Sequence, residues 1–261
     1  AVAVQAPAKF DATLQTPIVT GVLANKPGAV LIAPTDDKAM AGPMRQLKDA
    51  GIEVVEVDTK LEDTSVAVST ISSDNEQGGR LAAQTLAELV GGKTGSVLVL
   101  NTKAGTSTTD ARAAGFEEEL AKYPNLRYVG QQYTDNEPDQ AASKVTATLS
   151  ANPDLIGVFA TNLNTGEGAA TGLRNAGRTG AVNLVGFDAS PKQVEDLRNG
   201  AVQALIAQDP ATIGRTGVEQ AVAALEGKPV RRDVETDLVA LTKADAINWS
   251  CSGPIARASG V

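Results

Sequence analysis

The chain reads as an α/β protein of two Rossmann-like lobes with parallel sheets. Three observations carry that expectation. Short apolar runs rich in Val, Ile and Leu alternate with helical segments along the chain. The runs are continuous rather than alternating, the pattern of strands covered on both faces. At 261 residues the chain exceeds one small core and divides readily into two.

Taken in order, Ala29–Ala33 (AVLIA) is a strand, Pro34-Thr35-Asp36 a turn, and a helix follows to about Asp49. Gly51 stops that helix, and Ile52–Val57 (IEVVEV) is the next strand, ending at Asp58. Ser72-Ser73-Asp74 supplies N-caps for a helix to about Val90, which Gly91-Gly92 ends. Val97–Leu100, Ile156–Ala160 and Leu184–Phe187 repeat the strand signal, separated by helices near 111–122, 138–150, 165–176, 191–198 and 211–226. A βαβα order of this kind implies parallel sheets with helices on both faces. No low-complexity linker divides the chain, so any domain boundary must be a strand-to-strand crossing.

Several strands end in a polar residue. VGFDASP (185–191) carries Asp188, VFATN (158–162) carries Asn162, and ALIAQDP (204–210) carries Gln208. Ligands of open α/β sheets bind beyond the carboxyl ends of the strands. Acid and amide groups there suit a small, uncharged, hydroxyl-rich ligand such as a sugar.

Composition narrows the function further. The net charge of −8 argues against nucleic acid. No apolar run approaches a membrane span. The chain has no histidine, which removes Ser-His-Asp and Cys-His nucleophile systems and the imidazole ligands of many zinc sites. Cys251 is alone and forms no internal disulfide, so cysteine usage does not fix the compartment. No cofactor and no metal site is expected. Three short motifs fail on context. Gly91-Gly92-Lys93-Thr94 lies between a helix and a strand and lacks the leading glycine, where Ala87 stands. Gly78-Gly79 is no dinucleotide fingerprint. Asn248-Trp249-Ser250 fits a glycosylation tripeptide without supporting context.

Ala33-Pro34-Thr35-Asp36, Ala50-Gly51-Ile52 through Asp58, and Ser73-Asp74-Asn75 with Gly78-Gly79 form an ordered series. It continues through Gly105-Thr106-Ser107, Arg112 with Gly115-Phe116, Asn162, Gly186-Phe187-Asp188 and Ile206-Ala207-Gln208. In this order and spacing the chain resembles the periplasmic sugar-binding proteins of the ribose-binding type, whose type I periplasmic binding fold also serves the effector domains of lac-repressor-like regulators. The resemblance runs from the N-terminus to about residue 243, and it implies lobes of 1–73 with 208–237 and 74–207 with 238–261, joined by three crossings near Ser73, Gln208 and Asp237. It implies an extracytoplasmic solute-binding protein of an ABC importer, which binds a small sugar or polyol by closure of two lobes and meets a membrane permease. The location would be periplasmic or extracellular, with lipid anchoring through a removed N-terminal leader as one form. The alternative is an effector-binding domain of a transcription regulator. An enzyme using Asp58 or Asp188 as a base is a third reading, which nothing in the spacing demands.

The resemblance also implies a pocket. Asp58, Arg112, Asn162, Asp188 and Gln208 match its ligand-binding positions, with Thr59, Asp135 and Asn136 as further members. A carboxylate accepts hydroxyl protons, Arg offers a fork of donors, and Asn or Gln does both. Each residue also has a plainer reading. Asp58, Asn162 and Asp188 suit helix N-caps, Arg112 a helix-face charge, and Gln208 a partner for backbone groups at a crossing. Phe116, Phe159 and Phe187 read as core, and Trp249 and Cys251 have no assigned place. Two departures stand out. Asn136 occupies a position where the family carries a stacking aromatic. Val2–Pro7 and Phe10–Ala24 align with the family's second strand and helix, so a first β-α unit is expected to be missing from this sequence. Residues 2–5 are then expected to form an outer strand.

Overall fold

A computed structural model describes residues 2–246. In chain order the elements are α1 (Ala12–Ala24), β1 (Ala29–Ile32), α2 (Ala41–Asp49), β2 (Glu53–Val57), β3 (Ser69–Ser73), α3 (Asn75–Val90), β4 (Gly95–Asn101), α4 (Ser107–Leu120) and β5 (Leu126–Tyr133). Then follow α5 (Pro138–Ala151), β6 (Leu155–Ala160), α6 (Leu163–Asn175), β7 (Asn183–Phe187), α7 (Pro191–Asn199), β8 (Ala204–Gln208), α8 (Pro210–Leu225), β9 (Asp233–Thr236), β10 (Leu238–Thr242) and α9 (Lys243–Ala246). They form a four-stranded sheet, β1-β2-β3-β9, and a six-stranded sheet, β10-β8-β7-β6-β4-β5. Every pairing is parallel except β8 with β10. The chain divides into two compact units: residues 1–75, 103–111 and 210–237, and residues 76–102, 112–209 and 238–261.

The outer strand expected at residues 2–5 does not form. These residues carry no regular structure, and Val2 and Val4 are each 91% exposed. Isolated valines cannot hold a strand without a ladder partner. β1 therefore lies at the edge of its sheet, with β2 as its neighbour. Trp249 and Cys251 lie outside the described residues.

In the first unit, β2 alternates its side chains between two cores, as a doubly covered strand must. Val54 packs with Ile32, Met40, Met44, Leu47 and Ile52 on one face, and Val55 with Ile71, Ile213 and Ala221 on the other. The buried Gln15 of α1 ties the helix to the end of β1. Its Nε2 donates to the Ala33 carbonyl at 2.8 Å, and its Oε1 accepts from Thr35 N–H at 2.8 Å.

Glu56, also on β2, is only 2% exposed. Its carboxylate accepts from Leu61 N–H (3.0 Å) and the Thr70 hydroxyl (2.9 Å), which closes the loop after β2 onto the sheet. Burial pushes its pKa up, against the downward pull of those two bonds. The folded protein therefore holds this proton more tightly than the unfolded chain. The associated stability is full below the unfolded carboxylate range and is lost as pH rises through the folded pKa. Glu56→Gln should remove that loss. Its melting temperature relative to the parent should rise from pH 4 to pH 7, and a difference that shrinks with rising pH would contradict the assignment.

In the second unit, β4 (GSVLVLN) is buried along its whole length. Leu98, Leu100, Val158, Ala160, Leu184 and Leu205 fill one face of the sheet. Val97, Val99, Phe159, Val185, Phe187 and Ile206 fill the other. On that second face the Phe116 and Phe159 rings stack with centroids 4.7 Å apart. Helices α3 and α4 meet there at a pair of glycines. A Cβ on Gly79 would stand 2.0 Å from the Arg112 carbonyl oxygen, and one on Gly115 would stand 2.1 Å from that of Glu76. The absence of side chains at these two positions lets the helix backbones touch and sets where α4 carries Arg112.

Candidate functional site

The second unit builds its site at the carboxyl ends of β6, β7 and β8. Asp188 follows β7 in a left-handed conformation, φ 74°, which costs a non-glycine residue about 1–2 kcal/mol. Its N–H donates to the Ile206 carbonyl at 2.9 Å, so the residue stays in the sheet while its side chain is redirected. The two carboxylate oxygens are held separately. Oδ1 accepts from Gln208 Nε2 at 2.6 Å, and Oδ2 from Leu163 N–H, the first amide of α6, at 3.1 Å. That N–H is one of the donors a helix start leaves without an intrahelical partner.

Asn162 does serve as an N-cap. Its Oδ1 accepts from Thr165 N–H at 3.1 Å, and the Thr165 hydroxyl closes a capping box with the Asn162 amide. Its Nδ2 remains free of that duty and donates to Asn136 Oδ1 at 2.7 Å. Asn136 and Asp135 both take left-handed φ values, 60° and 51°. Asn164 Nδ2 donates to the Asn136 carbonyl at 3.2 Å, and Gln140 Nε2 donates to Asp135 Oδ2 at 3.3 Å.

Arg112, on α4, is 2% exposed and is not a solvated helix-face charge. Its Nη1 donates to the Thr161 carbonyl at 2.9 Å, and its guanidinium carbon lies 3.6 Å from the centroid of the Phe187 ring. Thr161 and Phe187 are the residues immediately before Asn162 and Asp188. Arg112, Asn136, Asn162, Asp188 and Gln208 are therefore joined into one polar cluster by contacts among themselves or with a chain neighbour.

The first unit presents Asp58 and Thr59 at the carboxyl end of β2. Asp58 repeats the backbone geometry of Asp188: φ is 65°, and its N–H donates to the carbonyl of the next strand, Ile71, at 2.8 Å. The Ser72 hydroxyl donates to the Asp58 carbonyl at 2.6 Å. Thr59 is buried, with its hydroxyl donating to the Pro34 carbonyl at 2.7 Å. Among the described residues, five non-glycine positions have positive φ, and four of them are Asp58, Asp135, Asn136 and Asp188. Backbone strain concentrates where function requires a side chain to be aimed.

Neither Asp58 nor Asp188 is the N-cap of a helix that follows its strand; Ser190 takes that role for α7, through its own capping box. Gln208 bonds a carboxylate. Phe116, Phe159 and Phe187 are fully buried. Sequence reasoning gave no role to Thr161 and Asn164 and read Ser72 only as a helix cap, whereas these residues bond Arg112, Asn136 and Asp58. The readable signal for the first two was adjacency to Asn162 at a strand–helix junction.

Among the described residues, no group of three or more acidic or cysteine side chains is arranged to hold a metal ion, and no helix is long and apolar enough to cross a membrane. The family model for the periplasmic binding protein domain matches residues 1–229. The ribose import binding protein of Escherichia coli is 33% identical over 237 residues, which span 91% of this chain and 77% of that protein. An ABC transporter solute-binding protein from Agrobacterium vitis, solved with α-D-tagatopyranose, is 39% identical with a TM-score of 0.88, covering 91% of this chain and 82% of that one. A carbohydrate transporter solute-binding protein from Agrobacterium radiobacter, solved with D-arabinose, is 31% identical with a TM-score of 0.85, covering 90% and 81%.

Proposed function

The chain belongs to the periplasmic binding protein domain family, and we propose that it is the extracytoplasmic sugar-binding component of an ABC importer. It captures a small sugar or polyol and delivers it to a membrane permease. The observation that supports this reading most directly is the Asp188 turn. A strained residue at a strand end holds its carboxylate by one amide side chain and one helix N-terminal N–H. Further acceptor lone pairs on that carboxylate suit ligand hydroxyls.

The proposed ligand set is Asp188, Arg112, Asn162 and Gln208, with Asp135 and Asn136 beside them and Asp58 and Thr59 from the first unit. Carboxylates accept from vicinal hydroxyls, the guanidinium donates to hydroxyl or ring oxygens, and the amides do both. Such charge-assisted bonds contribute about 1.5–3 kcal/mol each, enough to separate epimers when several converge. The chemistry is binding without turnover. The relatives named above are transport proteins, which favours import over a regulatory effector domain.

Native mass spectrometry of the purified protein, followed by calorimetry with pentoses, ketohexoses and linear polyols, tests the proposal. A retained or added sugar bound one-to-one with a micromolar or tighter constant is expected. A protein that binds none of these classes, or that chemically converts them, would defeat it.

A further inference from the structure

We infer that Phe187 is a positioning residue that presets Arg112 for the ligand, an inference that rests on the sugar-binding reading above. The Arg112 guanidinium carbon lies 3.6 Å from the Phe187 ring centroid, within cation–π range, and both residues are almost wholly buried. A desolvated guanidinium needs compensation for its lost hydration. A ring contributes to it through the face of the cation, where no N–H donor points. Nη1 donates to the Thr161 carbonyl at 2.9 Å, so this edge contact and the ring contact both act on the plane of the group.

The ring is itself held. Phe187 packs in the core with Val185, Phe159 and Ile206, and Gly78 of α3 lies against its edge. A Cβ on Gly78 would come within 3.0 Å of Phe187 Cε2 and 2.8 Å of Leu238 Cδ1. Phe187 also directly precedes Asp188, so one strand end places both the ring beneath the arginine and the carboxylate of the polar cluster.

Graded fluorination of the Phe187 ring separates this role from packing, because fluorine withdraws π-electron density with little change in shape. Guanidinium signals of the protein labelled with ¹⁵N-arginine give a readout that needs no ligand. In the parent, Arg112 should show ring-current-shifted protons and slow rotation about its Cζ–N bonds. Pentafluorophenylalanine at 187 should speed that rotation at an unchanged fold. Affinity for D-ribose, or for the sugar found on the purified protein, should fall stepwise with fluorination to about tenfold, and the steps should vanish in an Arg112→Met background. Equal Arg112 dynamics in the parent and the pentafluoro protein would overturn the inference while leaving the binding reading intact. Unchanged sugar affinity in Arg112→Met alone would instead overturn the assignment of Arg112 to the ligand set, and the inference with it.

Discussion

Asp188→Ala is expected to weaken sugar binding by roughly 30-fold or more, corresponding to about 2 kcal/mol. Three losses act together. The ligand loses a charged acceptor. Gln208 Nε2 loses the oxygen that accepts from it at 2.6 Å. Leu163 N–H at the start of α6 loses its partner at 3.1 Å. Alanine also inherits φ 74° without the local hydrogen bonding that lets Asp tolerate it. Asp188→Asn is the informative companion, because it keeps the shape and tolerates the left-handed conformation while discarding the charge and one acceptor. Its affinity should fall between parent and alanine variant, and its melting temperature should stay closer to the parent's. Calorimetry with the sugar identified on the native protein measures the first quantity, and thermal unfolding the second. Parental affinity in Asp188→Ala would remove Asp188 from the ligand set.

Gly79→Ala should destabilise the protein by about 3 kcal/mol, near the upper end for overpacking. The added methyl would sit 2.0 Å from the Arg112 carbonyl oxygen and 2.7 Å from Phe116 N, both backbone atoms of α4 that no side-chain rotation can clear. The helices must part, which opens the α3–α4 contact and shifts the turn that carries Arg112. In a chain of this length that cost corresponds to a fall of roughly 6–12 °C in melting temperature. Sugar affinity should drop in the same variant. Gly21→Ala is the control, since nothing lies within 4 Å of a Cβ there and the position is inside α1. Alanine in an open helix position should stabilise by about 0.5–1 kcal/mol. Equal melting temperatures for the two variants would mean that the α3–α4 contact yields more easily than its geometry implies.

The interior strands were legible because burial on both faces demands an unbroken apolar run. VLVL within β4, LIGVFA in β6 and ALIAQ in β8 announce themselves for that reason. β3 (STISS) and β9 (DVET) did not, because most of their side chains are polar and their strand state comes from ladder partners distant in sequence. The strand expected at residues 2–5 failed for the converse reason. Alternating valines carry strand propensity, but residues 2–5 join neither sheet.

For the candidate site, residue chemistry and position came from the sequence. Polar residues at the ends of apolar runs marked Asp58, Asn162, Asp188 and Gln208, and an ordered set of family motifs added Arg112. Their arrangement depended on contacts between segments far apart in the chain. Asn162 was readable either as a helix cap or as a ligand group. The structure gives its Oδ1 to the cap and its Nδ2 to Asn136, since an amide has two ends and a capping box uses only one. Whether Arg112 lay on the surface or in the core could not be decided from α4 alone. Its burial follows from the glycine contact with α3 and from the Phe187 ring, which approach from separate parts of the chain. Local sequence thus determined which groups stand at the strand ends, whereas tertiary packing decided which way each one points. Pointing depends on partners that only the folded chain brings within hydrogen-bonding distance.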